Sequence, residues 1–326
     1  MNLNLYNQHM ERIAVIGGQY LSVLWSEGYN TVEPFAMEVL ETPENREKIR
    51  PECFVGRSDR KTLMVIKTVK IESGRIIAGG KQAARCLDDV PFIGTIKKGR
   101  KVKEAVKDAY ESTERYPCFR FADGGPEDTY EHQISNKSIL KLMEAMGQST
   151  DMGFRTIRGG GNVTAEFYKP DENENLKFSE AFGNLKMKSL TLSTENLKNH
   201  AIVLGAGEGE NRVRVDVDRS DGGQKLSVIV DARDIVREET DTDDSYREKL
   251  EARGNEKLRE KTKTWECAFE PLAKDFGTRY DLGDVLTVIL KEYGIRLKAR
   301  VARFTQKAQD GQKTTTVEVG EITIVR

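Results

Sequence analysis

The stretch that decides the fold runs from Phe178 to Val217, FSEAFGNLKMKSLTLSTENLKNHAIVLGAGEGENRVRVDV. At its centre Ile202-Val203-Leu204 precede Gly205-Ala206-Gly207-Glu208-Gly209, the composition of a phosphate-cradling loop. A dinucleotide site needs a helix directly after such glycines, because the helix N-terminus supplies the amide donors and the dipole that hold a pyrophosphate. Beyond these glycines the chain reads Arg212-Val213-Arg214-Val215-Asp216-Val217, apolar at every second place. Period-2 alternation is the signature of a strand, so the glycines are expected to turn a hairpin and to bind no cofactor.

Toward the N-terminus the text is first strand-like and then mixed. Ile13 to Ile16, Leu21 to Trp25, Phe35 to Leu40, Cys53 to Val55 and Thr62 to Ile71 are separated by turn signals such as Glu27-Gly28-Tyr29-Asn30 and Arg57-Ser58-Asp59-Arg60. Lys81 to Leu87 has the composition of a short helix. From about Pro91 the period lengthens: Val102, Ala105, Val106, Ala109 and Tyr110 recur at helical spacing. A second helix carries Ile139, Leu142, Met143 and Met146, with Ser135 or Asn136 expected as its cap and Gly147 as its stop. Phe154 to Ile157 and Val163 to Tyr168 flank Gly159-Gly160-Gly161-Asn162, a hairpin.

Toward the C-terminus strands dominate again. Met187 to Leu192, Ala201 to Leu204, Val213 to Val217 and Leu226 to Val230 precede the acidic run Asp241, Asp243 and Asp244, which suits a helix N-terminus. Tyr246 to Lys261 comes next as a helix with a narrow apolar face, and Gly254 in its middle predicts a bend or a split. Trp265, Cys267 and Phe269 alternate as a strand. Val285 to Leu290, Arg296 to Phe304 and Thr314 to Ile324 make a three-stranded meander.

With 326 residues the chain exceeds what one ordinary core serves. Its 52 Lys and Arg balance 53 Asp and Glu, and 32% of residues are charged, which argues for a well-solvated surface and against a dedicated nucleic-acid binder. Cys53, Cys86, Cys118 and Cys267 form no C-x-x-C pair, and His9, His132 and His200 fall in no nucleophile or metal motif. The expectation is buried free thiols in a reducing compartment and no catalytic or metal residues. Asp281-Leu282-Gly283-Asp284 lacks the ligand spacing of a calcium loop and is expected to be a tight turn. The one phosphate-contacting candidate is the run Lys97, Lys98, Arg100, Lys101, Lys103 and Lys107, although Glu104 and Asp108 interleave with it as on a solvated helix face. The start lacks a basic and then apolar leader, and no apolar run reaches membrane-spanning length.

Several segments taken in order resemble one family, the tail-tip or baseplate hub proteins of long-tailed siphophages, related to the hubs of contractile tails. They are Trp25 to Asn30 with Phe35 to Val39; Leu63 to Ile71 with Gly79-Gly80-Lys81; Gln133 to Met146 with Gly153-Phe154; and Phe178-Ser179 with Phe182-Gly183-Asn184-Leu185. Asn199 to Gly209, Val230 to Ile235, and Tyr280 to Val285 with Tyr293-Gly294-Ile295 complete the set. Trp25, Phe178, Phe182, Asn184, Leu185, Asp281, Gly283 and Asp284 are its structural motif residues. Two departures stand out: Pro34 where the family tends to carry a glycine, and no receptor-binding or wall-cleaving extension after Arg326.

The resemblance implies a mostly β, α+β chain of four parts. Residues 1–90 form a first tail-tube-like β-barrel, 91–177 an α+β module, 178–236 with 277–326 a second β-barrel, and 237–276 a helical insertion. It also implies a non-enzymatic virion protein without cofactors, sited at the tail tip and assembled in the bacterial host cytoplasm. Three copies form a ring that adapts a hexameric tail tube or distal tail protein to the tip, gates the channel for tape measure protein and DNA, and meets spike or fibre proteins. Contact with DNA is transient. The alternatives are a virion-associated wall-degrading enzyme and a nucleic-acid module using the basic run 97–107.

Overall fold

The computed structural model describes every residue except 115, 236, 238–240, 262–263, 272–274 and 326. The chain forms two compact units, Met1–Lys188 with Cys267–Arg326, and Ser189–Glu266.

In the first unit the alternation seen in the sequence becomes one long ladder. The strands Gln312–Val325, Ile295–Gln309, Ser22–Gly28, Pro34–Leu40, Arg75–Gln82, Leu63–Glu72, Phe54–Arg57, Leu3–Tyr6 and Arg12–Gly17 are hydrogen-bonded neighbours in that order. The join between the two ends of the chain is antiparallel, with Arg303 opposite Gly28 and Gln309 opposite Ser22. Two separate barrels were expected; the sheet instead runs continuously from C-terminal into N-terminal strands, and among the described residues it does not close on itself. Alternation says which face of a strand is dry, and it is silent on which strand lies beside it.

One face of this ladder is apolar. Val23, Trp25, Phe35, Met37, Val39 and Ile76 are buried there. On the other face a single row crosses six strands, Thr314, Lys307, Leu24, Ala36, Gly79 and Thr68. All six are exposed or half-buried.

The α+β module is built as its periodicity predicts, with helices Val102–Glu111 and Ile139–Ser149 and a hairpin of Gly153–Gly159 with Asn162–Tyr168. Its apolar stripe, including Val106, Leu142, Met143 and Met146, shares one core with Phe54, Leu63 and Val65 of the sheet. The second helix begins later than expected. Ile134–Ser138 is a strand paired with Pro91–Ile96, so Ser138 is the cap, accepting from the Lys141 amide at 3.3 Å. Gly147 lies inside the helix. A short helix Pro43–Lys48 was missed, though Thr42 as cap, Pro43 in the first turn and Lys48 in the last are its ordinary signals.

In the second unit His200–Leu204 lies between Arg214–Asp218, antiparallel, and Ser227–Asp231, parallel. Helix Asp243–Glu260 covers one face, its Tyr246, Leu250 and Leu258 sharing a core with Val203, Val217 and Val230. The hairpin expected between Leu204 and Arg214 is present. Its loop amides are used internally: Gly205 N–H donates to Val213 O at 2.8 Å and Ala206 N–H to the Tyr246 hydroxyl at 2.9 Å. The helix is not split at Gly254 but runs unbroken through it. A Cβ there would stand 2.7 Å from methyl groups of Val203 and Val217, so the glycine admits the sheet's side chains.

Candidate functional site

Trp25 points into the first unit's core, and Glu27, two residues on, must share that face. A buried carboxylate demands partners, because desolvation of an unpaired charge is prohibitive. Glu27 Oε1 accepts from Trp25 Nε1 at 2.7 Å and Arg60 Nε at 2.6 Å; Oε2 accepts from Arg60 Nη2 at 2.9 Å and Thr62 Oγ1 at 2.8 Å. All four acceptor positions are filled. Arg60 lies over the Phe276 and Phe304 rings, 4.9 and 5.0 Å from their centres, and those rings stack 4.3 Å apart. Burial pulls its guanidinium down, while Glu27 and then Asp281, 3.5 Å away, outweigh burial and hold it above its ordinary value. A cavity of about 310 Å³ opens beside this pair, lined by Glu27, Arg60, Thr62, Gln82, Tyr168 and Asp281 among others.

Of the motif residues named from the sequence, Phe178 and Asp281 reach this junction along with Trp25. Phe178 is fully buried and meets Tyr280 edge-on at 5.3 Å; Tyr280 meets Phe276 at 5.6 Å, and Phe276 underlies Arg60. A chain of contacts therefore runs from Phe178 through Tyr280, Phe276, Arg60 and Glu27 to Trp25. Asp281 to Asp284 form a tight turn. Asp284 accepts from the amides of Asp281 at 2.7 Å and Asp171 at 2.8 Å, and Asp281 Oδ1 accepts from the Leu282 amide at 2.9 Å. Burial pushes the Asp284 carboxyl up, against the pull of those two amides. Gly283 has φ +88, and a Cβ there would stand 2.5 Å from the Tyr29 ring and 2.9 Å from Pro170.

Asn184 closes a second turn, accepting from Ser179 N–H at 2.9 Å and donating to Lys177 O at 2.8 Å. It sets Leu185 into the interior at 5% exposure and leaves Phe182 outside at 52%, with Lys291 Nζ 5.5 Å from its ring centre. Phe182 is thus a surface residue, apart from the junction. The sequence reading gave Arg60, Phe276 and Phe304 no role here, and took Tyr280 only as the start of a resembling segment. The available signal was Trp25-x-Glu27, an acid held on the dry face of a strand.

The basic run is largely matched by carboxylates. Lys101 and Lys103 converge on Glu127, whose carboxyl their hydrogen bonds pull down to about 2. Arg100 pairs with Asp108 and Lys107 with Asp123. Cys53, Cys86 and Cys118 are buried and unpaired, and burial pushes the Cys86 thiol up to about 12. The side chains of Trp265, Cys267 and Phe269 lie outside the described residues. His9 is exposed, His132 meets Tyr130 edge-on, and His200 is buried between Ser227 Oγ at 2.9 Å and Asp216 at 3.3 Å. Among the described residues no cluster of His, Cys, Asp and Glu is arranged to hold a metal ion. No helix among them is long and apolar enough to cross a membrane.

A model of the family described as Siphovirus ReqiPepy6 Gp37-like protein matches residues 111–321. The chain belongs to that family. The matched span takes in Phe178, Phe182, Asn184, Leu185 and the turn Asp281 to Asp284, and leaves Trp25 outside. No curated protein sequence matches the chain. Among solved structures, the 43 kDa tail protein of prophage MuSo2 from Shewanella oneidensis superposes with a TM-score of 0.61 at 10% identity, over 98% of this chain and 97% of that one. The tail protein from Neisseria meningitidis MC58 gives 0.59 at 11%, over 98% and 96%. Prophage tail protein gp18 from Listeria monocytogenes EGD-e gives 0.57 at 11%, over 98% and 94%. Identities this low speak for the fold alone. The family member therefore has, over nearly its full length, the mostly β fold of prophage tail proteins, as the ordered motifs led one to expect.

Proposed function

We propose that the chain is a structural protein of the siphophage tail tip. Three copies form a hub ring that joins a hexameric tail tube to the tip apparatus and gates the channel through which tape measure protein and then DNA leave. Its work is interface formation and conformational opening, with no bond chemistry. The copies assemble in the host cytoplasm and meet the tube or distal tail protein on one side and spike or fibre proteins on the other.

The observation that carries this reading is the wide face of the first unit's sheet. Six strands spaced by about 4.8 Å make a surface about 24 Å across. The row Thr314, Lys307, Leu24, Ala36, Gly79 and Thr68 gives it small and polar side chains, with the half-buried Leu24 as the exception. Glu38 and Lys70 flank the exposed Ile77, and Arg75 flanks the exposed Leu40, so the face keeps most of its hydration. Behind it, the saturated Glu27 carboxylate and the shared core make a stiff backing. The basic run adds little to a nucleic-acid reading, since four of its cations are held by carboxylates.

Light scattering together with negative-stain imaging tests the proposal. A ring of three that joins tail-tube protein is expected. A chain that stays monomeric at high concentration and ignores the tube protein refutes it, as does cleavage of purified peptidoglycan that a single carboxylate substitution abolishes.

A further inference from the structure

Next to the Glu27 junction lies a separate cavity of about 320 Å³, lined by Arg57, Asp59, Arg60, Phe276, Phe304, Gln306, Lys313 and Thr315 among others. Arg57 and Gln306, both among its lining, are both neighbours of Trp25. The Arg57 guanidinium sits 5.3 Å from the centre of the Trp25 indole, and Gln306 is the cross-strand partner of Trp25. Arg57, with a side chain 2% exposed, gives Nε and Nη2 to Asp59 at 2.9 and 2.6 Å. Gln306, 5% exposed, donates through Nε2 to Thr315 Oγ1 at 2.9 Å. The remaining atoms of both side chains, Arg57 Nη1 and Gln306 Oε1, are buried and have no hydrogen-bond partner among the described residues. Buried polar atoms are satisfied in native proteins with few exceptions, so a donor and an acceptor left over on two residues that line one cavity point to a ligand carrying the complementary pair.

Charge defines that ligand further. Arg57 is matched by Asp59 and Arg60 by Glu27, while Lys313 has no ion-pair partner among the described residues. Asp59 lines the same cavity and Asp281 also lies 3.5 Å from Arg60, so little positive charge is in surplus, which suits a monoanion better than a phosphate dianion. We infer that this cavity is a carboxylate-binding site. The carboxylate accepts from Arg57 Nη1 and Lys313 Nζ, and an N–H or O–H a few atoms away on the same ligand donates to Gln306 Oε1. An aspartate within a neighbouring polypeptide presents that pair of groups, and so does a free hydroxy acid. The inference does not depend on the tail-tip reading.

Titration calorimetry on the full chain tests it with four probes: N-acetyl-aspartate N-methylamide, the corresponding asparagine compound, lactate and inorganic phosphate. The capped aspartate is expected to bind and the capped asparagine not to. Lactate binding as well as the capped aspartate assigns the site to a free acid; weaker lactate binding assigns it to a polypeptide. Lys313 is exposed on a hairpin, so Lys313→Gln leaves the fold intact; it should weaken binding about tenfold or more, the scale of one charged hydrogen bond. Gln306→Leu should also weaken the capped aspartate, because it removes the acceptor for the ligand's N–H. Binding of neither carboxylate at about 10 mM, corresponding to an affinity too weak to matter, overturns the inference. So does phosphate binding as tightly as the capped aspartate, or Lys313→Gln leaving affinity unchanged.

Discussion

Replacing Glu27 by Gln keeps the shape of the junction and removes its negative charge. In the native chain one carboxylate oxygen serves Trp25 and Arg60, and the other serves Arg60 and Thr62. The amide oxygen of a glutamine retains the first pair; its NH2 faces the second Arg60 donor, a clash of like groups. Thr62 adapts by rotating its hydroxyl to accept. Arg60, 15% exposed, is then left with Asp281 at 3.5 Å, a carboxylate 44% exposed. Breaking a buried pair by removing one partner costs about 3–5 kcal/mol, and the surviving Asp281 contact sets the expectation at the lower end, about 3 kcal/mol. In equilibrium urea unfolding followed by circular dichroism, Glu27→Gln should lower the midpoint without changing the slope. Arg60→Met should cost a similar amount, and the double variant should cost less than the sum by about 1–3 kcal/mol, since each single change strands the other's charge. A loss below about 1 kcal/mol for Glu27→Gln, or strict additivity, would refute the account of the junction.

Three further outcomes are expected. Gly254→Ala adds about 1 kcal/mol of helix propensity, yet its methyl lands 2.7 Å from Val203 and Val217, so the melting temperature of the second unit should fall; a rise contradicts the packing argument. Leu185→Ala should cost about 2–5 kcal/mol in urea unfolding and Phe182→Ala less than about 1, because only the first empties a packed site. Under the proposed three-copy assembly, Phe182→Ala should instead reduce the assembled fraction on a sizing column, because Phe182 is 52% exposed. Cys86 has its folded-state value raised by burial from the ordinary 9.0 to about 12. Its contribution to stability is therefore complete below about pH 9 and lost as pH rises toward 12, so the alkaline fall in unfolding free energy should be shallower in Cys86→Ala. The native thiol should also ignore a chromogenic disulfide reagent near neutral pH.

Elements whose partners are close in sequence were legible. The hairpin of Gly153–Gly159 with Asn162–Tyr168, the meander after Val285 and the helix Val102–Glu111 stem from local period and turn chemistry. The glycine-rich stretch after Leu204 was resolved by its C-terminal neighbour, an alternating strand in place of a helix. Helix Pro43–Lys48 is too short to show a period and buries no residue, so only its caps could betray it. Ser138 was missed as a cap because Ile134–Ser138 is a strand leading directly into the helix. The Glu27 junction draws on residues 25, 27, 60, 62, 276, 281 and 304, and no local rule brings such distant positions together. The motif residues marked one end of it in Trp25 and the other in Phe178 and Asp281, while the arginine that joins them carries no sequence signature of its own.

The ladder between Ser22–Gly28 and Ile295–Gln309 also governs how the chain comes into being. Ser26 and Thr305 share a hydroxyl hydrogen bond at 2.7 Å across a separation of 279 positions. A ribosome releases the first of these strands long before it makes the second, and contacts so remote along the chain form slowly. For that interval Ser22–Gly28 is an edge strand awaiting a partner, with the liability to pair with another nascent copy that such edges carry. The last large step of folding is then the capture of that waiting edge by the C-terminal strands, and a ribosome stalled before residue 295 leaves a chain that is sticky on one known side.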